Sequence, residues 1–252
     1  FNLKRGTTMG MVGESGCGKS VTSLSLMQLL QRPQGQVVEG EIRLNLGNKA
    51  YDVTKTPDEV MQHLRGNAVS MILQEPMTAL NPVFRIGDQL NEVIALHDDK
   101  GSTEEQIKER SIKLLEMVGI ANSEGVYKNF PHELSGGMRQ RCALIRTLAT
   151  QPEILLLDEP FSALDYQTRL AVSADIWRIL RQEGKTALLV THDIAEAVSM
   201  SDRVIVLSRR PAVVKAELDM GALRPLPPME RRDTPEFHRY CNTRWKELDV
   251  HA

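Results

Sequence analysis

The chain has 252 residues, 41% of them hydrophobic, and a formal net charge of −2. A large core is therefore possible, and no global basic field exists to attract nucleic acid or an anionic membrane surface. Three widely spaced cysteines, Cys17, Cys142 and Cys241, form no CxxC pair, which argues for a reducing compartment and against a disulfide framework or zinc site. No stretch approaches the roughly 18 apolar residues of a membrane-spanning helix, and no secretory signal is visible. We therefore expect a cytosolic protein that reaches a membrane only through a partner.

Short apolar runs alternate with helical patterns along the chain, which predicts an α/β fold with a parallel sheet covered by helices. The predicted strands are residues 9–12, 68–73, 154–158, 186–191 and 203–208. The run 154–157 shows no alternation, as expected for a central strand that is covered on both faces. Residues 36–44, with Gly35 and Gly40 nearby, predict a small antiparallel β part beside the main sheet.

The middle of the chain has a different, mostly helical pattern, most clearly at residues 104–117. We therefore divide the chain into four predicted parts. They are a first part of the core at 1–74, a helical subdomain at 75–133, a second part of the core at 134–218 and a C-terminal extension at 219–252. Another predicted helix lies at 168–183, where apolar residues form one stripe and a glycine follows, and a short one lies around 235–248.

Residues 13–20 fit the phosphate-loop motif G-x-x-x-x-G-K-[ST] and stand between a predicted strand and a predicted helix. They are, in order, Gly13, Glu14, Ser15, Gly16, Cys17, Gly18, Lys19 and Ser20. The glycines let successive backbone N–H groups point at phosphate oxygens, and the helix that begins near Gly18 adds its partial positive charge. Lys19 is predicted to reach the β- and γ-phosphates and Ser20 to bind Mg²⁺, whereas Cys17 is predicted to be a small filler. The motif alone leaves kinases, GTPases, helicases and transport motors open.

Two carboxylates, Asp158 and Glu159, follow the apolar strand 154–158 at its carboxyl end, where ligands bind in open parallel sheets. Asp158 suits the coordination shell of Mg²⁺, and Glu159 suits the general base that polarises an attacking water. The ordinary alternative is a pair of solvated carboxylates at a strand-to-loop junction. The phosphate loop in the same chain favours the functional interpretation.

The string Leu-Ser-Gly-Gly-Met-Arg-Gln-Arg at 134–141 resembles the signature motif of ABC ATPases and begins 24 residues before Asp158. Gln74 resembles the family's Q-loop glutamine, residues 162–165 resemble its D-loop, and His192 resembles its switch histidine. With the phosphate loop and the acidic strand end, six motifs stand in the family's order. The chain is therefore identified as similar to ABC ATPases over nearly its whole length.

This resemblance implies a phosphate-loop NTPase core with an inserted helical subdomain, ATP as substrate and Mg²⁺ as cofactor. It implies catalytic roles for Glu159, His192 and Gln74, and metal ligation by Ser20, Gln74 and Asp158. Nucleotide contacts are implied along the phosphate loop as far as Val21, and also at Ser135, Gly136, Gly137 and Asp165. The residues Ser135 to Gly137 precede a predicted helix at 138–150, so they offer a second anion site at a helix N-terminus. In the family this site closes over the γ-phosphate held by a second ATPase subunit in a head-to-tail dimer.

The implied partners are that second subunit, identical or different, transmembrane permease subunits and, indirectly, a solute-binding protein, with no nucleic acid. Residues 74–82 and 87–90 resemble oligopeptide, dipeptide and nickel importer ATPases, although the Cys-rich tail of that branch is absent. Residues 165–169, 191–197 and 207–212 are more similar to nitrate, sulfonate and taurine importer ATPases. Both resemblances imply an ATPase that powers import from the cytoplasmic face of a bacterial membrane.

The family's adenine-stacking aromatic residue lies on an early strand upstream of the phosphate loop, and this chain does not contain it. Because the chain starts at Phe1, we expect the natural chain to begin further upstream. Two other functions stay open at this point. A soluble ABC ATPase of DNA repair or ribosomes usually carries two cassettes, long coiled coils or zinc-binding cysteines, and none is seen here. A phosphate-loop kinase of small molecules would have no use for the signature string.

Overall fold

The computed structural model of the protein describes residues 1–31, 33, 35–72, 80–98 and 101–242. The strands are β1 (Thr8–Val12), β2 (Arg43–Leu46), β3 (Lys49–Asp52), β4 (Val69–Ile72), β5 (Ile154–Asp158), β6 (Thr186–Thr191), β7 (Arg203–Leu207) and β8 (Val214–Asp219). The helices are α1 (Lys19–Leu26), α2 (Asp58–Leu64), α3 (Ile86–Leu96), α4 (Glu104–Met117), α5 (Ser123–Lys128), α6 (Gly136–Leu148), α7 (Tyr166–Gln182), α8 (Ile194–Met200), α9 (Pro228–Arg232) and α10 (Pro235–Asn242). Short 3-10 turns lie at Pro131–Glu133 and Gly221–Leu223.

The main sheet has the strand order β4-β5-β6-β1-β7-β8. Its strands are parallel from β4 to β7, and β8 runs antiparallel to β7. The register pairs Asp158 with Val190 and Val12 with Thr191, so β5, β6 and β1 end at the same edge of the sheet. The phosphate loop, the acidic pair and the segment after β6 therefore all leave the sheet side by side.

Strand β5 is covered on both faces, as its sequence predicts. Leu155 and Leu157 belong to the apolar cluster that includes α6, α7 and helices α3 to α5. Leu156 points to the opposite face, where a second cluster includes Met27 at the end of α1 and side chains of β2 and α2. Because β5 is held from both sides, the two carboxylates at its end have a rigid support.

Helices α3, α4 and α5 pack on one another, and α3 and α4 also contact α6. Helix α4 begins with a capping box, in which Thr103 and Gln106 each accept a backbone N–H of the other. It covers 104–117 as predicted. Across the described ranges, no helix combines the length and apolar character that crossing a membrane requires.

Several element bounds differ from the sequence prediction. The small antiparallel part is present, but its strands pair Arg43–Leu46 with Lys49–Asp52 rather than lying at 36–44. Leu44 and Leu46 alternate with exposed residues, and the turn between the two strands contains Gly47, whose φ of +55° favours glycine; Gly40, with a φ of +90°, lies before β2. Helix α6 begins two residues earlier than predicted, and the sequence reading missed strand β8.

Candidate active site

The phosphate loop joins β1 to α1 over residues 13–18. Gly16 and Gly18 have φ values of +79° and +106°, a left-handed conformation that favours glycine. A Cβ on Gly13 would lie 2.7 Å from the Cys17 sulfur and 3.1 Å from the Cβ of Leu207. Cys17 is buried in the apolar cluster below the loop, in agreement with its predicted role as a filler. Gly18 has no side chain to cap α1, which leaves the first N–H groups of the helix available for an anion.

Lys19 is the first residue of α1, and only 5% of it is exposed. Its Nζ donates hydrogen bonds to the carbonyl oxygens of Gly13, at 2.8 Å, and Glu14, at 3.0 Å. These bonds hold the ammonium along the inside of the loop. Ser15 and Val21, two other predicted nucleotide contacts, are exposed next to it.

Ser20 and Asp158 meet across the gap between α1 and β5. The Ser20 hydroxyl donates to Oδ1 of Asp158 at 3.0 Å. Burial raises the pKa of Asp158; the Ser20 hydrogen bond lowers it, the negative charge of Glu159 raises it, and the positive charge of Lys19 lowers it. The structure thus brings together two side chains that the sequence places 138 positions apart.

This pair fits the chemistry of Mg²⁺, which prefers hydroxyl and carboxylate oxygens and keeps most of its shell for water and substrate phosphates. Among the residues that the structure describes, no group of three or more His, Cys, Asp or Glu side chains could hold a metal ion by itself. An ion at Ser20 and Asp158 would therefore need phosphate oxygens to complete its coordination. Gln74, the third predicted ligand, lies outside the described residues.

Glu159 and His192 form the second contact of the site. His192 Nδ1 lies 3.2 Å from Glu159 Oε2; 55% of the histidine side chain is exposed, against 13% of the glutamate. The backbone N–H of Glu159 donates to the carbonyl of Val190 at 2.8 Å, which extends the pairing of β5 with β6. Glu159 has a φ of +47°, an uncommon conformation for a non-glycine residue, and one that concentrates at functional sites.

The signature and D-loop residues lie at the starts of two neighbouring helices. The Ser135 hydroxyl caps α6 by accepting the N–H of Met138 at 3.3 Å, and the Asp165 carboxylate caps α7 by accepting the N–H of Thr168 at 3.0 Å. A Cβ on Gly137 would lie 2.6 Å from Cγ2 of Thr168, so only glycine allows the two helix ends to approach this closely.

These residues do not join the phosphate loop. Helix α6, with Ser135, Gly136 and Gly137 at its start, packs on β4, α3, α4 and α7. Strands β5 and β6 separate β4 from β1, and three strand spacings of about 4.8 Å correspond to roughly 14 Å. The neighbours of Gly136 and Gly137 are Leu164 of the D-loop and Thr168 of α7, so within one protomer the signature residues lie beside the D-loop.

Two arginines in the site were not singled out from the sequence for these contacts. Arg209 donates from Nε and Nη2 to the two carboxylate oxygens of Glu14 at 2.8 and 2.9 Å, a bidentate contact that fixes the second residue of the phosphate loop. Arg169 donates to the carbonyl of Leu164 at 3.1 Å and lies 3.5 Å from Asp193, so it connects the D-loop to the segment after His192. No local sequence pattern could have found either contact.

Glu196 is a further acidic residue near the site. It lies in the first turn of α8, is only 4% exposed, and its Oε1 has no hydrogen-bond partner among the described residues. Burial raises its pKa to about 8, and the negative charges of Asp193 and Glu159 add to this effect; the Thr191 hydroxyl and Arg169 oppose it. The spacing Asp193-x-x-Glu196 matches a helix start, but it does not reveal the burial.

Comparison with known proteins gives a consistent result. The family model described as ABC transporter matches residues 1–162. The chain is 40% identical over 228 residues to the oligopeptide transport ATP-binding protein AppD of Bacillus subtilis, covering 90% of this chain and 68% of AppD. It is 39% identical over 215 residues to the glutathione import ATP-binding protein GsiA of Salmonella typhimurium, covering 84% of this chain but 34% of GsiA. Among solved structures, a dimeric post-hydrolysis state of the ATP-binding cassette MJ0796 with ADP and Pi matches with a TM-score of 0.71 and 26% identity, over 87% of this chain and 88% of that one.

Proposed function

The chain belongs to the ABC transporter family and is an ATPase of that family, and on this premise we propose that two such subunits close on ATP and power solute import. The observation that carries the proposal is the Glu159–His192 contact at 3.2 Å, next to the Ser20–Asp158 contact at 3.0 Å. A base and a metal-binding pair thus lie at one edge of the sheet, beside the phosphate loop.

In the proposed reaction, Glu159 accepts a proton from a water molecule while the water oxygen bonds to the γ-phosphorus of ATP. The bond from that phosphorus to the bridging oxygen breaks, and the products are ADP and phosphate. His192 keeps the carboxylate of Glu159 oriented, and its exposed side allows it to face the transferred phosphoryl group. Because Glu159 is shielded from solvent, its carboxylate interacts more strongly with the positive charge that develops on the attacking water.

Lys19 and the loop N–H groups hold the β- and γ-phosphates in the same proposal, and Ser20, Asp158 and Gln74 hold Mg²⁺. When bound, Mg²⁺ supplies positive charge that neutralises the phosphate oxygens. The bidentate contact of Arg209 with Glu14 keeps the loop in one conformation before the nucleotide arrives, which reduces the entropy that binding must overcome.

The second half of the proposed site comes from a partner subunit. Ser135, Gly136, Gly137 and Asp165 present two helix N-termini to one side of the protomer, well placed for phosphates held by another chain. The dimeric cassettes among the similar structures support this arrangement. Homodimers and heterodimers with a related ATPase would both satisfy it.

We further propose a peripheral location at the cytoplasmic face of a bacterial membrane, in contact with permease subunits and, through them, with a solute-binding protein. A peptide-like solute is favoured, because the relatives named for oligopeptide and glutathione transport match most of this chain. The resemblance to nitrate, sulfonate and taurine importers rests on residues 165–169, 191–197 and 207–212 alone.

Replacing the base tests the proposal. Glu159→Gln keeps the side-chain volume but cannot accept a proton, so we expect MgATP binding to persist while hydrolysis falls by at least about 100-fold. ATP that is not hydrolysed should hold a stable dimer, which size-exclusion chromatography will detect.

Glu153→Gln is the matched control, since it makes the same change just before the opposite end of β5. It should hydrolyse ATP at the normal rate. Near-normal turnover in Glu159→Gln, with the control also normal, would show that another group is the base.

A further inference from the structure

The C-terminal segment, residues 220–242, covers helix α8. Helices α9 and α10 both pack against α8, and α9 also contacts α7. Leu223 and Phe237 are buried in the same apolar cluster as Ala197 and Val198 of α8. This segment therefore forms part of the core around α8, the helix that follows the switch histidine.

Arg231 is the central residue of this contact and is fully buried, with 0% exposure. Its Nη1 donates to the carbonyls of Val198, at 3.2 Å, and Ser201, at 2.6 Å. Its Nε donates to the carbonyl of Leu226 at 2.8 Å, and its Nη2 donates to that of Arg224 at 2.9 Å. One planar guanidinium thus ties the last turn and C-cap of α8 to the chain that leads into α9.

The charge of Arg231 is suited to this position. Burial lowers its pKa to about 10, while the negative charge of Asp202 opposes this, so the group stays protonated at neutral pH. The C-terminal carbonyls of a helix carry partial negative charge and lack partners within the helix, and a cation there satisfies both conditions. A lysine could place only a single ammonium in this space and could not reproduce the fixed fork of donors.

Helix α8 connects this contact to the active site. It has 7 residues and is therefore roughly 10 Å long, and its N-cap is Asp193, the residue after His192. His192 in turn lies 3.2 Å from Glu159. A helix this short moves as one rigid unit, so a displacement of its C-terminal end is transmitted to its N-terminal end.

We propose that Arg231 is a positioning residue for ATP hydrolysis, holding the last turn of α8 so that His192 stays against Glu159. The C-terminal segment is then a part of the catalytic apparatus that acts without touching the nucleotide. This inference rests on the proposed function of Glu159 and His192.

Arg231→Lys in the full chain tests the inference. The proposed function assigns phosphate binding to Lys19 and the loop N–H groups, so the affinity for ATP and the KM should stay within about twofold. The kcat should fall by between about tenfold and 100-fold, because a small misplacement of a catalytic group has effects of this size. Hydrogen exchange followed by mass spectrometry should become faster in peptides covering 192–201 and stay unchanged in β1 and β5.

The matched control is Arg239→Lys, which makes the same replacement on the exposed face of α10 and should change nothing. An unchanged kcat in Arg231→Lys overturns the inference. So does faster exchange spread evenly over the sheet, because that result means a general loss of stability. If Arg231→Lys does not fold, the milder Phe237→Leu, which loosens α10 against α8, must give the same local pattern with a smaller fall in kcat, or the inference fails.

His192→Ala separates this inference from the proposed function. If His192→Ala and Glu159→Gln are both inactive while Arg231→Lys is normal, only the positioning role is wrong. If His192→Ala and Glu159→Gln both hydrolyse ATP normally, the proposed function itself is wrong, whatever Arg231→Lys does.

Discussion

The buried carboxyl of Glu196 should make the stability of the protein depend on pH. Its pKa is about 8 in the folded protein against an ordinary value of 4.5. Between these values the folded protein keeps a proton that the unfolded chain releases, so the free energy of unfolding falls as pH rises. At pH 7 the resulting loss in the free energy of unfolding is about 3 kcal/mol. This loss is absent below the pKa that Glu196 has in the unfolded chain and is complete only above its pKa in the folded protein.

Glu196→Gln removes this linkage, because the amide has the shape of the protonated acid and does not ionise. We expect the variant and the parent to unfold at similar urea concentrations at about pH 4, and the variant to be more stable by about 3 kcal/mol at pH 7. Subtracting the two curves cancels the other titrating groups, Asp158 included.

Glu236→Gln, at an exposed position in α10, is the control and should follow the parent at every pH. If the curves of Glu196→Gln and the parent stay parallel to within about 0.5 kcal/mol from pH 5 to pH 8, Glu196 ionises normally and the reasoning is refuted.

Lys19→Ala should weaken both binding and turnover of ATP, since it removes the only side-chain cation in the loop; unchanged affinity for a fluorescent ATP analogue would count against the phosphate-loop assignment. Ser135→Arg should bind nucleotide almost normally but should neither dimerise nor hydrolyse ATP. Mixing it with Lys19→Ala should restore some ATPase activity, because one interface of the mixed dimer carries neither defect. Mixed dimers without any activity would contradict this prediction. Cys17 and Cys142 are buried, and burial raises the pKa of Cys142 to about 12 and that of Cys241 to about 11. Maleimide should therefore label all three cysteines slowly until urea unfolds the protein. Rapid labelling of the folded protein would contradict the packing.

The parts of the fold with an unambiguous local pattern could be predicted from the sequence. The bounds of β5 and β6 agree with the prediction because each strand contains an uninterrupted apolar run and is covered on both faces. Helix α4 agrees because its capping box defines its start. The small hairpin was misplaced, because Gly40 and Gly47 both adopt a left-handed φ and the local sequence does not show which of them joins two paired strands.

Contacts between distant residues were beyond the sequence. Glu159 and His192 were each identified, but nothing local fixes the 3.2 Å between them, since that depends on the register of β5 with β6. Arg231 gave no signal at all, because its acceptors are backbone carbonyls that any residue would present. Gln74 stays a prediction, since it lies outside the described residues.

The features that would make this edge of the sheet reactive are unfavourable for folding. A left-handed φ at Glu159 costs about 1–3 kcal/mol, and the raised pKa values of Asp158 and Glu196 show that burial disfavours both negative charges. Such an arrangement persists only where the surrounding structure leaves no alternative. Here β5 is packed on both faces, α1 joins it through Ser20, and the far end of α8 is held by Arg231. The rigid core therefore holds the strained site in place. Loosening any of these supports should relax the site before it unfolds the protein.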